Sequence, residues 1–253
     1  TLEKEWQYGG QRAVVQKLFA DYMKWGGFPE LLLFRNKRNW LNSLYDKILL
    51  GDIIQRNKVK NENALRLTMK RLAENVKQPI SYNRIANVIR TTGTSIAVSS
   101  VSDYVRYAVD ACMIFSLENY ASKFVEKETV KKHYFVDNGL LSIFLLDGNT
   151  ALLENLCAIH LHKKYGDKLY FYNKNIEVDF LIVDEGYAVQ VSYSIYGDGK
   201  QETFDRETKA LVQLDKYLSL NRMIIVTYDE EGVVTLDNGK QIEVIPVWKW
   251  MLE

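Results

Sequence analysis

Several functional classes are excluded by what this sequence has little of. Its 253 residues hold only two cysteines, three prolines and three histidines. Cys112 and Cys157 do not share a Cys-x-x-Cys spacing, so neither a disulfide framework nor a zinc ribbon is expected, and their apolar surroundings predict buried thiols. With so little proline there is no Pro-rich tether, and any domains should be joined by short helices or loops. No stretch approaches the ~18 consecutive apolar residues of a membrane span. The N-terminal Thr1-Leu2-Glu3-Lys4-Glu5 has no apolar signal region. A cytoplasmic chain with no membrane partner is therefore expected. No G-x-x-x-x-G-K-[ST] loop occurs, so no nucleotide-binding residues are assigned, and Asp229-Glu230 after the apolar run Met223–Tyr228 reads as the end of a closing strand. His160 and His162 lie about 200° apart around a helix, too far to share a metal.

What is present is core-forming: 47% hydrophobic and 12% aromatic residues, with a net charge of only +1. That balance hides an asymmetry, because residues 1–150 carry a net +7 and residues 151–253 a net −6. Residues 31–90 alone hold 13 basic against 4 acidic side chains. Such a concentration suits a polyanion surface, while a set of solvated helical faces gives the same count.

Hydrophobic periodicity divides the chain into three parts, 1–60, 61–149 and 150–253. The first is helical, with one helix from Gly10 to about Trp25 stopped by Gly26-Gly27-Phe28-Pro29 and another from Lys37 to about Ile54. The second has helices at Ala64–Asn75, Tyr82–Arg90 with Ser81 as N-cap, and Ser95–Ala111, followed by strands at Cys112–Leu117 and Lys131–Val136. This order resembles a winged helix-turn-helix, with Arg106 on the exposed side of its third helix and Lys131 and Lys132 at the hairpin return. Phosphate contacts are expected from Lys58, Lys60, Arg84, Arg90, Arg106, Lys131 and Lys132, which makes duplex DNA the expected partner of the basic half. Winged helices also dock proteins, so a protein-only partner stays open. In the third part a helix at Ala151–Tyr165, strands near 168–172, 176–183 and 187–193, a helix at Thr203–Leu218 and strands near 222–228 and 241–247 predict an α/β domain with a mixed central sheet.

The chemical constellation lies in that last part. Strict alternation along Glu177–Val183 predicts Val178, Phe180 and Ile182 on one face and Glu177 and Asp179 on the other. A two-residue Glu185-Gly186 turn would return the chain so that Asp179 faces Ser192, close to Gln190.

Helix Glu154-Asn155, then Glu177-Val178-Asp179, then a strand with Gln190-Val191-Ser192 resembles the PD-(D/E)xK (restriction-endonuclease-like) arrangement. More widely, the chain resembles the C-terminal part of prokaryotic AAA-type ATPase-like proteins, of the domain of unknown function 4143 type. The strings that carry this are Gly26-Gly27-Phe28-Pro29-Glu30, Leu49-Leu50-Gly51-Asp52-Ile53-Ile54, Tyr134-Phe135-Val136-Asp137-Asn138-Gly139-Leu140, Glu154-Asn155 and Glu177-Val178-Asp179. The resemblance implies a helical lid-like segment, a winged helix and a degenerate nuclease-like domain, preceded in the full protein by an AAA-type core. It implies Glu154 and Asp179 as metal ligands, with Gln190 where active members have a carboxylate and Ser192 where they have a lysine; Lys209 on the next helix is the candidate migrated ammonium. Two carboxylates would hold Mg²⁺ or Mn²⁺ only weakly, so a non-catalytic, nucleic-acid-associated module is expected. A protein-docking or regulatory module and a metal-dependent nuclease are the alternatives.

Overall fold

The structure, a computed structural model, describes residues 12–253. The expected helix start at Gly10 and the segment Thr1–Glu5 lie outside the described residues. Helix α1 spans Arg12–Trp25 and ends where Gly26 takes a left-handed φ of 81°. Helix α2, Lys37–Lys47, is capped by the Asn36 side chain and continues as a π-type helix over Ile48–Gln55.

Next come α3 (Glu62–Glu74), β1 (Ile80–Ser81), α4 (Tyr82–Thr91), α5 (Val98–Asp110), β2 (Ile114–Asn119), the short α6 (Phe124–Thr129) and β3 (Val130–Phe135). Ser81 caps α4 as expected, its hydroxyl accepting from the Arg84 amide at 3.2 Å. Cys112 departs from expectation. It is exposed, because α5 stops at Asp110 and Cys112 turns the chain with a φ of 51° while Met113 and Ile114 enter the core.

After the short α7 (Asn138–Ser142) come α8 (Asn149–Tyr165), β4 (Tyr170–Asn173), β5 (Glu177–Ile182), β6 (Tyr187–Val191), α9 (Gln201–Leu218), β7 (Arg222–Thr227), β8 (Gly232–Thr235), β9 (Gln241–Pro246) and α10 (Val247–Trp250). Among the described residues the strands form one mixed sheet in the order β1-β3-β2-β4-β5-β6-β7-β9-β8. The hairpin β2–β3 is antiparallel, and β2 joins β4 in parallel through Glu118–Tyr170 and Asn119–Phe171. Beyond β4, β5 and β6 run antiparallel, and β7 and β9 add in parallel. No helix among the described residues is long and apolar enough to cross a membrane.

Two apolar clusters sandwich the sheet. One runs from Met23 through the helices of the first half to Leu152, Leu153 and Leu156 of α8; the other packs Ala210, Leu211 and Leu214 of α9 onto β5–β7 and β9. Their division corrects the predicted faces of β5. Val178 and Leu181 pack on the α9 side, whereas Phe180 and Ile182 pack on the α8 side. The register explains this: Tyr170 pairs with Leu181 but Tyr172 with Val178, so β5 holds one extra residue. A bulge of this kind breaks the two-residue alternation and re-aims a side chain.

Candidate functional site

The bulge places Asp179 on the α8 side of the sheet, next to Phe180, and there it meets Glu154. Between them stands a side chain from another part of the chain, Lys132 of β3. Its Nζ lies 3.1 Å from Asp179 Oδ1, 3.3 Å from Glu177 Oε1 and 3.4 Å from Glu154 Oε1. The lysine side chain is 0% exposed, that of Glu154 5%, Asp179 14% and Glu177 40%. Burial pulls the Lys132 ammonium down, but the three carboxylates outweigh it and hold it above the usual lysine range. Burial pushes Glu154 up to about 8, against the pull of Lys132. The Tyr134 hydroxyl donates to the same Glu154 Oε1 at 2.8 Å, so that oxygen accepts from two donors.

Gln190 belongs to this site in an unexpected way. The β5–β6 turn takes in Val183–Gly186, with Val183–Glu185 as a 3₁₀ turn and Gly186 left-handed at φ 58°. Ile182 therefore pairs with Tyr187, a two-residue shift from the expected register. The Gln190 side chain faces the backbone of β5: its Oε1 accepts from the Asp179 amide at 2.8 Å and its Nε2 donates to the Glu177 carbonyl at 3.0 Å. The Val191 amide donates to Asp179 Oδ2 at 3.0 Å. Ser192 is not part of the cluster. Its hydroxyl donates to the Ser194 carbonyl, and it lines a neighbouring cleft.

These residues do not fit a divalent cation. Both Asp179 oxygens are engaged, one by Lys132 and one by the Val191 amide. The Gln190 amide is tied to backbone on both sides. The carboxylate oxygens stand more than 3 Å from the point on which they converge, against the roughly 2.0–2.1 Å that Mg²⁺ requires. No group of three or more His, Cys, Asp and Glu suited to a metal occurs among the described residues. The point on which they converge is held by an ammonium of the chain itself.

Outside the cluster a cleft of about 590 Å³ opens, with Glu154, Glu177, Asp179 and Gln190 in its wall and Lys77, Arg206 and Lys209 around it. An adjoining cleft of about 210 Å³ shares Lys77 and Arg206 and adds Lys200, Ser192 and Tyr193. Arg206 bonds Glu207 at 2.6 Å, and burial raises the Glu207 carboxyl above its usual range. Among the described residues Lys77, Lys200 and Lys209 make no ion pair. Lys209, the candidate migrated ammonium, lines the cleft and is exposed, while the ammonium that touches the carboxylates is Lys132.

The remaining basic candidates are spread. Lys58, Lys60, Arg84, Arg90 and Arg106 are exposed. Arg90 is committed to the Ile96 carbonyl and Asn87, and Arg106 to Asp103. Lys131 is half-buried between Glu118 and Glu128. Lys132 corrects the expectation of a phosphate contact at the hairpin return, since β3 turns it inward toward α8 and no solvent reaches it. The signal was present. In a strand, Lys132 is in phase with Tyr134, and Tyr134 is a core residue. Glu230, at the end of the Met223–Tyr228 run, accepts from the Ser194 hydroxyl and the Ile195 amide at 2.7 Å, which closes a loop.

Three of the strings behind the resemblance, those holding Gly27, Phe135–Gly139 and Asn155, meet in a second, structural junction. Asp137 accepts from the amides of Gly27 and Gly139 at 2.7 Å each. Asn138 donates to the Met23 and Leu152 carbonyls. Asn155 accepts from the Phe135 amide at 2.8 Å and donates to the Phe135 carbonyl at 3.0 Å.

Residues 16–151 match the family described as a domain of unknown function (DUF8612). The chain is 30% identical to an uncharacterized protein of Methanocaldococcus jannaschii, MJ1544, over 256 aligned positions that take in 96% of this chain and 57% of that protein. It is 29% identical to an uncharacterized protein of Haemophilus influenzae over 252 positions, 96% of this chain and 60% of that one. The chain therefore spans less than two thirds of these curated relatives. No solved structure matches it.

Proposed function

The chain belongs to the family of the domain of unknown function DUF8612, and we propose that it is a nucleic-acid-associated module of a longer AAA-type ATPase-like protein, one that holds a phosphate backbone without cutting it. The observation that carries this is a cleft in which Lys77, Arg206 and Lys209 stand around a carboxylate floor whose charge Lys132 offsets in part from within. Lys77, Arg206 and Lys209 face a space of about 590 Å³, and Lys200 extends the basic lining into the next cleft. Ammonium and guanidinium groups along a groove are what a phosphodiester chain requires. A hydrolytic site needs in addition a bound metal to activate water and neutralise charge on the phosphate, and Lys132 holds that place.

The element order agrees with this reading. Helices α3, α4 and α5 with the antiparallel order β1-β3-β2 support the winged helix-turn-helix reading. Helix α8, the antiparallel β4–β5–β6, helix α9 and a parallel β7 support the PD-(D/E)xK reading. The relatives extend beyond the matched region by about two fifths of their length, which leaves room for a nucleotide-binding core.

Fluorescence anisotropy with labelled single-stranded and duplex DNA tests the reading. Binding that weakens steeply with salt, varies little with sequence and falls on Lys77→Glu with Lys209→Glu supports it; no binding at low ionic strength refutes it. One observation favours a protein-docking module instead, an apolar cleft of about 540 Å³ lined by Val14, Leu18, Phe19, Trp248, Met251 and Leu252. That reading takes over if DNA does not bind.

A further inference from the structure

We propose that the Lys132 ammonium occupies inside this protein the position of a bound cation, tying three carboxylates together with one unit of positive charge, so that the cluster is held without metal. The inference is independent of what the cleft outside binds. It rests on position and charge. An ammonium carries three N–H donors; of the three carboxylates around Nζ, Asp179 at 3.1 Å and Glu154 at 3.4 Å accept hydrogen bonds, and Glu177 at 3.3 Å is paired by charge. The carboxylates come from two elements, Glu154 from α8 and Glu177 and Asp179 from β5. The cation comes from a third, β3, whose residue 132 pairs with Leu117 of β2.

The charge centre therefore ties the β2–β3 hairpin to the helix and strand of the α/β part, as a metal shared between elements would. It differs from a metal in two respects. The ammonium is covalently part of the chain, so it is neither lost to chelators nor exchanged. It is also fully buried, so it has no position open to water and cannot act on an attacking hydroxide. A lysine poised for catalysis would need that access, whereas one that neutralises charge does not.

The removal of the ammonium should leave three carboxylates free to close on a divalent cation from their present 3.1–3.4 Å around Nζ. The full chain carrying Lys132→Met is compared with the wild type by thermal melting in EDTA and in millimolar Mn²⁺, with Mn²⁺ binding followed by electron paramagnetic resonance. The wild type should melt at the same temperature in both and bind no Mn²⁺ at this cluster. Lys132→Met should melt lower in EDTA and be raised by Mn²⁺ by roughly 5 °C or more, and Asp179→Asn added to it should abolish that rise.

A folded Lys132→Met protein indifferent to Mn²⁺ would overturn the proposal, as would wild-type Mn²⁺ binding that disappears on Asp179→Asn. If Lys132→Met does not fold even with Mn²⁺, the charge-matched pair Lys132→Met with Glu154→Gln decides. It removes one positive and one negative charge together. Folding of the pair without metal shows that neutralisation was the lysine's contribution. Failure of the pair to fold assigns Lys132 to packing and ends the proposal.

Discussion

Lys131 and Lys132 are adjacent in sequence and opposite in fate, because successive strand residues point to opposite sides. Lys131 stays half-buried between two surface carboxylates, and Lys132 is enclosed. Breaking a buried charge group by removing one member costs about 3–5 kcal/mol, and Lys132→Met in EDTA should lose stability of that order in chemical denaturation. His133, the next residue, provides a pH test. It is fully buried, with Nδ1 2.8 Å from the Ser116 hydroxyl and its ring stacked on Tyr82. Burial, helped by the Lys131 charge, holds its pKa down at about 3. The folded value lies below the unfolded one, near 6.5, so the native state binds fewer protons between the two. Stability from His133 is therefore fully present above pH ~6.5 and is lost as pH falls toward about 3. His133→Gln removes this titration. The gap in melting temperature between wild type and variant should be widest at neutral pH and narrow on acidification; a gap that stays constant from pH 7 to pH 4 would contradict the assignment.

The junction of α1, α7, β3 and α8 depends on side chains that serve backbone groups. Asn155 alone satisfies the amide and the carbonyl of Phe135, both inside the core. Leaving a buried backbone group unpaired costs about 1–3 kcal/mol each, so Asn155→Ala should destabilise by roughly 3 kcal/mol or more in urea unfolding. Gln190 acts in the same way between β5 and β6. Gln190→Glu would set a carboxylate against the Glu177 carbonyl in place of an amide donor, and it should lower the melting temperature without creating a metal site. Most helices and strands were legible from periodicity, breakers and caps: Gly26-Gly27 stops α1, Ser81 caps α4, and alternation marks the strands of the α/β part. Glu154 and Asp179 were legible as neighbours through the family resemblance. What was not legible follows from two local events. The extra residue in β5 breaks the alternation from which Asp179's face was inferred, and the 3₁₀ turn at Val183–Glu185 moves the pairing register by two residues. Lys132 was misplaced for a different reason: its phase with Tyr134 marked it as inward-facing, but the carboxylates that receive it come from residues distant in sequence.

The sheet that starts at the β2–β3 hairpin and continues through β4 to β9 makes the chain's charge asymmetry a spatial question. The second half is acidic overall, yet the cleft in its wall is lined by Lys77 from the first half and by Lys200, Arg206 and Lys209 from the second. If that cleft carries the backbone contacts, log K should fall linearly with log salt, by about 0.9 for each phosphate contacted on duplex DNA and about 0.7 on a single strand. Lys77→Glu with Lys209→Glu should flatten that slope more than reversal of Lys58, Lys60 and Arg84 together. The central claim is that the molecule holds nucleic acid at a site built like a nuclease but closed to metal. Its most direct test is one incubation of labelled DNA with the full chain in low-salt buffer containing Mn²⁺, read for binding by anisotropy and for cleavage by gel. The prediction is salt-sensitive binding with no cleavage, in the wild type and in Asp179→Ala alike. Cleavage by the wild type that Asp179→Ala abolishes would contradict it.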